Sequence, residues 1–232
     1  MAQKKLIRFA QIKSFSNVLE YPVEMQGKWH SFFKNDQPVV LELACGRGEY
    51  TIGLAAMHQE QNFIGVDVKG SRMYIGAKHA LNNHLNNAAF LRTQIEMLNT
   101  YFAAAEVDEI WITFPDPQLR TSTAKRRLTH PRFLRLYQQV LKPGGNIHLK
   151  TDSPALFSFT KKVIELYGLL LVEEMEDVYA NPHSQELDIK THYEALDIAQ
   201  SKKIYYLKFQ LRGDIPDRDE ALQEILKQTE NQ

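Results

Sequence analysis

From residue 38 onward the apolar positions switch repeatedly between two spacings. PVVLEL (38–43), NFIGVDV (62–68), AAFL (88–91), VDEIWITF (107–114) and NIHLKT (146–151) are short runs in which apolar, β-branched or aromatic residues recur. Runs of that length bounded by turn residues predict buried strands. Between them the apolar residues fall at spacings compatible with one face of a helix. Tyr50, Ile52, Leu54 and Met57 mark a helix over 49–59, and Met73, Ala77, Ala80 and Leu81 mark another over 71–85. Further helices are predicted near 95–104, over 130–141 with Pro131 in the first turn, and over 154–168. KPGG (142–145) reads as a stop signal. LLLVEEMED (169–177) and KIYYLKFQLR (203–212) predict two closing strands, and the last fifteen or so residues a polar helix.

Strands alternating with helices of this length imply an α/β fold around a mostly parallel sheet, here of seven strands, with helices on both faces. No helical crossover separates the last two strands, so the final one is expected to run antiparallel. Ligands in such sheets gather beyond the carboxyl ends of the strands. That rule places Glu42, Asp67, Gln94, Asp116 and Thr151–Asp152 on one rim.

Composition narrows the picture. At 232 residues, 44% apolar and 24% charged, the chain can bury one substantial core, with at most an appended piece. No apolar stretch approaches the roughly 20 residues of a membrane span, and MAQKKLIRFA has no apolar segment of signal-peptide length. Cys45 is the single cysteine, which excludes an internal disulfide and fits a cytoplasmic protein. Net charge is +0, yet it is unevenly spread. Residues 1–34 hold six Lys or Arg against Glu20 and Glu24, which predicts a basic extension ahead of a domain at 35–232.

ELACGRGEY (42–50) supplies the first strand-to-helix turn, where Ala44, Gly46 and Gly48 let the backbone approach a ligand. A tight connection alone would explain the glycines. Asp67, closing the next strand, adds an acceptor suited to a ribose diol. A dinucleotide would meet Glu49 where its pyrophosphate should lie, whereas S-adenosylmethionine has no phosphate and carries two cationic groups. Glu42 and Glu49 therefore favour the methyl donor on charge.

TFPDPQLRTSTAKRRL (113–128) raises the sharpest question. Asp116 is held between Pro115 and Pro117, which restrict its backbone. Eight Lys or Arg and no acid then precede Asp152. A capping aspartate at a strand end is the plainer reading; a fixed carboxylate at a ligand rim is the functional one.

At this point the chain resembles the bacterial tRNA (guanine-N7)-methyltransferases, over about residues 38–209. The match lies in Phe114-x-Asp116-Pro117 followed by Lys125-Arg126-Arg127-Leu128, in KTD (150–152) and in THYE (191–194). The resemblance implies a Rossmann-like class I methyltransferase fold, S-adenosylmethionine as donor, tRNA as partner and N7 of the variable-loop guanine as target. It implies Asp116 as the catalytic residue, with Glu42, Ala44, Gly46, Gly48, Asp67, Gln94 and Asp116 at the donor. Arg120, Asp152, Thr191, Tyr193 and Glu194 would hold the nucleotide, and Lys125, Arg126 and Arg127 the tRNA backbone. A monomer or homodimer is expected.

Guanine N7 already presents a lone pair, so no strong base is needed; positioning and charge stabilisation should suffice. Carboxylates can accept from guanine N1–H and N2, while basic residues grip phosphate. The sequence departs from the family at Ala44 and Ser201, where glycine is usual, at Gln94, where Asp is common, and in QLRTSTA (118–124), which lacks the usual aromatic and most of the charge. Two rival readings remain: a class I methyltransferase acting on an exocyclic amine, and an inactive RNA-binding relative. His79, His84 and His148 read as packing or surface residues, Cys45 lacks a partner base, and Tyr205, Tyr206 and Phe209 read as core. No metal-ligand spacing is present.

Overall fold

The structure, a computed structural model, describes residues 2–196 and 203–230; Ser201 lies outside them. The elements in chain order are α1 (Ala2–Ile12), β1 (Val18–Glu20), α2 (Trp29–Phe33), β2 (Val39–Leu43), α3 (Glu49–Met57), β3 (Asn62–Asp67), α4 (Gly70–Asn82) and β4 (Ala88–Arg92). They continue with α5 (Leu98–Tyr101), β5 (Val107–Thr113), α6 (Pro131–Val140), β6 (Leu141–Thr151), α7 (Pro154–Leu166), β7 (Leu170–Met175), α8 (His192–Leu196), β8 (Tyr205–Gln210) and α9 (Asp219–Glu230).

The strands form one sheet in the order β1-β4-β3-β2-β5-β6-β8-β7. All pairs are parallel except those of β8, which runs antiparallel to both β6 and β7. The α/β class and the antiparallel last strand are as the periodicity implies, but the sheet has eight strands rather than seven. The eighth is β1, which extends the edge beside β4. Its three residues are all half-buried and lack any alternation that a sequence pattern could register.

Alternate residues of each strand feed two layers. Val39, Leu41 and Leu43 join Trp29, Phe133 and Leu156 on one face, under α2, α6 and α7. Val40, Phe63 and Trp111 join Ile12, Leu54 and Met73 on the other, under α1, α3 and α4. Residues 1–34 thus contribute fully buried side chains at Ile12 and Trp29. The Glu106 carboxylate secures that segment by accepting from Gly27 N at 2.9 Å and Trp29 N at 3.3 Å. KPGG does not stop the chain before β6: Leu141 already pairs with Val107, and the next register pair is Glu109 with Asn146. The motif is absorbed as a bulge inside the strand.

From β2 the chain steps to β3 on one side, and later to β5 on the other. The crevice outside such a switch point is where an open α/β sheet binds its ligand.

Candidate functional site at the switch point

The turn after β2 is built from left-handed residues. Ala44, Gly46 and Gly48 have φ of 57°, 57° and 75°. A Cβ at Gly48 would lie 2.4 Å from the Phe90 ring, so this glycine serves close packing. Ala44 carries its methyl group in the left-handed backbone region that favours glycine. The Asp67 carboxylate, closing β3, is buried and ties two turns together. One oxygen accepts from Gly46 N at 2.9 Å and the other from Lys69 N at 2.8 Å.

Glu42 sits one residue before the end of β2 and is 4% exposed. It accepts from Thr51 N at 2.8 Å, from the Thr51 hydroxyl, and from Thr113 Oγ1 at 3.0 Å. Burial outweighs these hydrogen bonds and pushes its pKa up to about 7. Cys45 is buried beside it, and burial together with the Glu42 and Asp67 carboxylates raises the thiol pKa, the opposite of what a nucleophile needs.

After β5 the chain makes a constrained turn. Phe114 and Gln118 both have left-handed φ, 46° and 47°, strain of the kind that persists only where surrounding structure enforces it. Three contacts enforce it here. Phe114 N donates to Lys150 O at 2.8 Å, and Gln118 N donates to Asp116 Oδ1 at 3.0 Å. The Arg127 guanidinium reaches the carbonyls of Pro117, Gln118 and Leu119 at 3.0 to 3.4 Å. Asp116 is left exposed at the mouth.

These turns wall a cleft of about 700 Å³. Glu42, Ala44, Gly46, Asp67, Asp116 and Asp152 line it, together with Thr191, Tyr193 and Arg126. The cleft therefore brings together residues up to 151 positions apart, Glu42 and Tyr193 being the extremes.

Six of the expected site residues stand off the cleft wall. Arg127 is buried, spends its guanidinium on three carbonyls, and lies 4.4 Å from the Phe159 ring centroid, so it buttresses the Asp116 turn. Gly48 stands behind the wall for the packing reason above. Gln94 is exposed at the start of a short 3-10 turn, and its neighbours Ile95 and Glu96 line the cleft instead. Arg120 and Lys125 are exposed, but neither is on the cleft wall. Glu194 is turned inward onto Lys150 at 3.1 Å.

Three cations stand outside the expected site residues. Arg47, Lys69 and Arg72 line the rim with Arg126, and Arg72 lies 5.6 Å from the centroid of the Tyr193 ring. Their only sequence signal is position, just beyond the ends of β2 and β3. His148 is a core residue, stacked on Trp111 at 3.9 Å and bonded to the Tyr206 hydroxyl at 2.7 Å. No group of acidic, His and Cys side chains able to hold a metal occurs among the described residues, and no described helix is long and apolar enough to cross a membrane.

Residues 36–207 match the family model described as "Putative methyltransferase". The chain is 48% identical, over 91% of its length and 87% of the relative's, to the tRNA (guanine-N(7)-)-methyltransferase of Bacteroides thetaiotaomicron. It is 47% identical to the tRNA (guanine-N(7)-)-methyltransferase of Porphyromonas gingivalis, over 86% of each chain. Among solved structures, the 16S rRNA methyltransferase KamB shares the fold with a TM-score of 0.61 at 15% identity, covering 84% of this chain and 98% of that one.

Proposed function

Because the chain belongs to the tRNA (guanine-N(7)-)-methyltransferase family, we propose that its cleft transfers a methyl group from S-adenosylmethionine to N7 of a guanine in the variable loop of tRNA. The observation that supports this most is the convergence of Glu42, Asp67, Asp116, Asp152 and Thr191 on one cleft at the switch point. The donor set fits a cationic, phosphate-free ligand: two buried carboxylates and a tight turn, with Glu49 where a pyrophosphate would be repelled. When bound, S-adenosylmethionine supplies an electrophilic methyl group on a sulfonium.

The protein's own contribution is placement and charge. Asp67 offers remaining lone pairs to a diol, and Glu42 offers a carboxylate to a cation. Asp116 holds a negative charge at the mouth, where the purine ring turns cationic as N7 gains its methyl. Asp152 and the Thr191 hydroxyl line the same wall and can accept from the guanine N1–H and N2 donors. No residue need remove a proton from N7.

Incubation of unmodified tRNA with the protein and S-adenosylmethionine, followed by chemical cleavage mapping, should place N7-methylguanine in the variable loop. Methylation of an exocyclic nitrogen or of protein overturns the reading. Absence of donor binding at millimolar concentration overturns it in favour of an RNA-binding relative.

The rim cations make a second test. Alanine at Lys69, Arg72 and Arg126 together should weaken tRNA binding at least tenfold and reduce the slope of log K against log salt by about 1 for each phosphate no longer neutralised. Arg127→Ala should behave differently. Its loss leaves buried carbonyls unpaired, so it should lower stability by about 2 kcal/mol with the salt slope retained. Filter binding across a salt series and thermal melts separate the two outcomes.

A further inference from the structure

Lys150 is fully buried, and its ammonium never enters the cleft wall. Nζ donates to Leu187 O at 2.8 Å, to Ile189 O at 3.1 Å and to Glu194 Oε2 at 3.1 Å. The Tyr179 hydroxyl is 3.3 Å from the same nitrogen and donates in turn to Glu194 Oε1. Only 6% of the Glu194 side chain is exposed. The ammonium also lies 5.4 and 5.5 Å from the ring centroids of Tyr50 and Phe114. Through its backbone, the same residue accepts the Phe114 amide that opens the Asp116 turn.

The spacing Thr191-x-x-Glu194 is that of a helix-capping box. Thr191 Oγ1 indeed accepts from Glu194 N at 3.2 Å. In the usual box the acidic side chain turns back to the cap; here it leaves for Lys150. Thr191 and Tyr193, on either side of this turn, stand on the cleft wall.

We infer that Glu194 is a positioning residue that acts through Lys150, and that this buried pair seats the Thr191–Tyr193 rim opposite the Asp116 turn, with Glu194 making no contact to the base itself. That a guanine occupies the cleft rests on the proposed function; the seating of the rim does not. Lys150 couples two walls of the cleft: its ammonium has three partners on residues 187–194, and its backbone carbonyl accepts from Phe114 N. Removing either charge strands the other in the interior, so the two losses are one event.

The test compares Glu194→Gln, Lys150→Met and the double variant. Hydrogen exchange of amides 185–195 in the RNA-free protein is expected to rise about tenfold in each single variant. The KM for tRNA is expected to rise about tenfold, with a smaller fall in kcat and donor affinity kept within a fewfold. The double variant should lie within about twofold of Lys150→Met on every readout, because the partners are coupled. Direct base reading predicts another pattern: Glu194→Gln costs activity with exchange unchanged, and its cost multiplies with that of Lys150→Met. That pattern overturns the inference, as does Glu194→Gln with neither exchange nor KM altered. Should Lys150→Met fail to fold, exchange in Glu194→Gln decides alone, raised in support and unchanged against. A wild-type protein that does not methylate tRNA would overturn the proposed function while leaving the exchange result to judge the pair.

Discussion

Asp116→Ala is expected to lower kcat by about three orders of magnitude while donor and tRNA affinities stay within a fewfold. The magnitude follows from Coulomb's law: opposite unit charges 4 Å apart interact by about 4 kcal/mol at an effective dielectric of about 20, and each 1.36 kcal/mol is tenfold in rate. The positive charge passes from the sulfonium to the purine, and Asp116, on the purine side at the mouth, gains most of that interaction only as the methyl arrives. Ground-state binding should therefore change little. Asp116→Asn keeps an oxygen able to accept the Gln118 amide and so keeps the turn, yet it removes the charge. It should recover less than tenfold of the loss. Single-turnover rates with saturating tRNA check both variants. An Asn variant as active as the native protein would show that the carboxylate only shapes the loop, and an Ala variant within about fivefold of native would remove Asp116 from the chemistry altogether.

The same turn shows why part of the site could be read from the sequence and part could not. Glu42, Asp67, Asp116 and Asp152 all follow from one rule: find the buried strands, then take the polar residue at each carboxyl end. Those strands are apolar enough to locate, as β2 with every residue buried illustrates. Arg126 and Arg127 are indistinguishable as letters. Which of them meets solvent depends on a 3-10 turn over Thr121–Arg126 that folds the second guanidinium back under residues 117–119. The Lys150–Glu194 pair spans 44 positions and joins the β6 end to a segment whose placement no local pattern specifies. The capping-box spacing of Thr191 and Glu194 is the one local clue, and it locates the helix start without the ion pair. Residues 1–34 show their packing role in no local pattern. Lys13, Glu24, Lys28 and Lys34 are exposed, while Ile12 and Trp29, too few to form a periodic stripe, carry the packing.

Glu42 carries the second large prediction, because its pKa of about 7 lies in the range where the protein works. A folded-state pKa raised above the unfolded 4.5 means that the native chain holds its proton more tightly than the unfolded chain. Stability from this group is therefore greatest at low pH, falls as pH rises from about 4.5 through 7, and levels off above. The full span is about 3 kcal/mol. Asp219, whose pKa is lowered by Arg135, and His130 and His148, whose pKa values are lowered by burial, contribute with the opposite sign, so the raw pH profile mixes several groups. The difference between native protein and Glu42→Gln isolates Glu42: the variant should gain relative stability between pH 5 and pH 8. Donor binding should run the other way. A cationic ligand favours the ionised carboxylate, which is roughly 10% populated at pH 6 and 90% at pH 8 for such a pKa, so affinity should climb about tenfold across that interval. Calorimetry in buffers of different ionisation enthalpy should detect release of about half a proton near pH 7. Glu42→Gln should bind the donor at least tenfold more weakly at pH 8, with no pH dependence and no proton release. A native protein whose donor affinity is flat from pH 6 to pH 8 would show that this carboxylate is already ionised in the free protein, or never meets the ligand's charge.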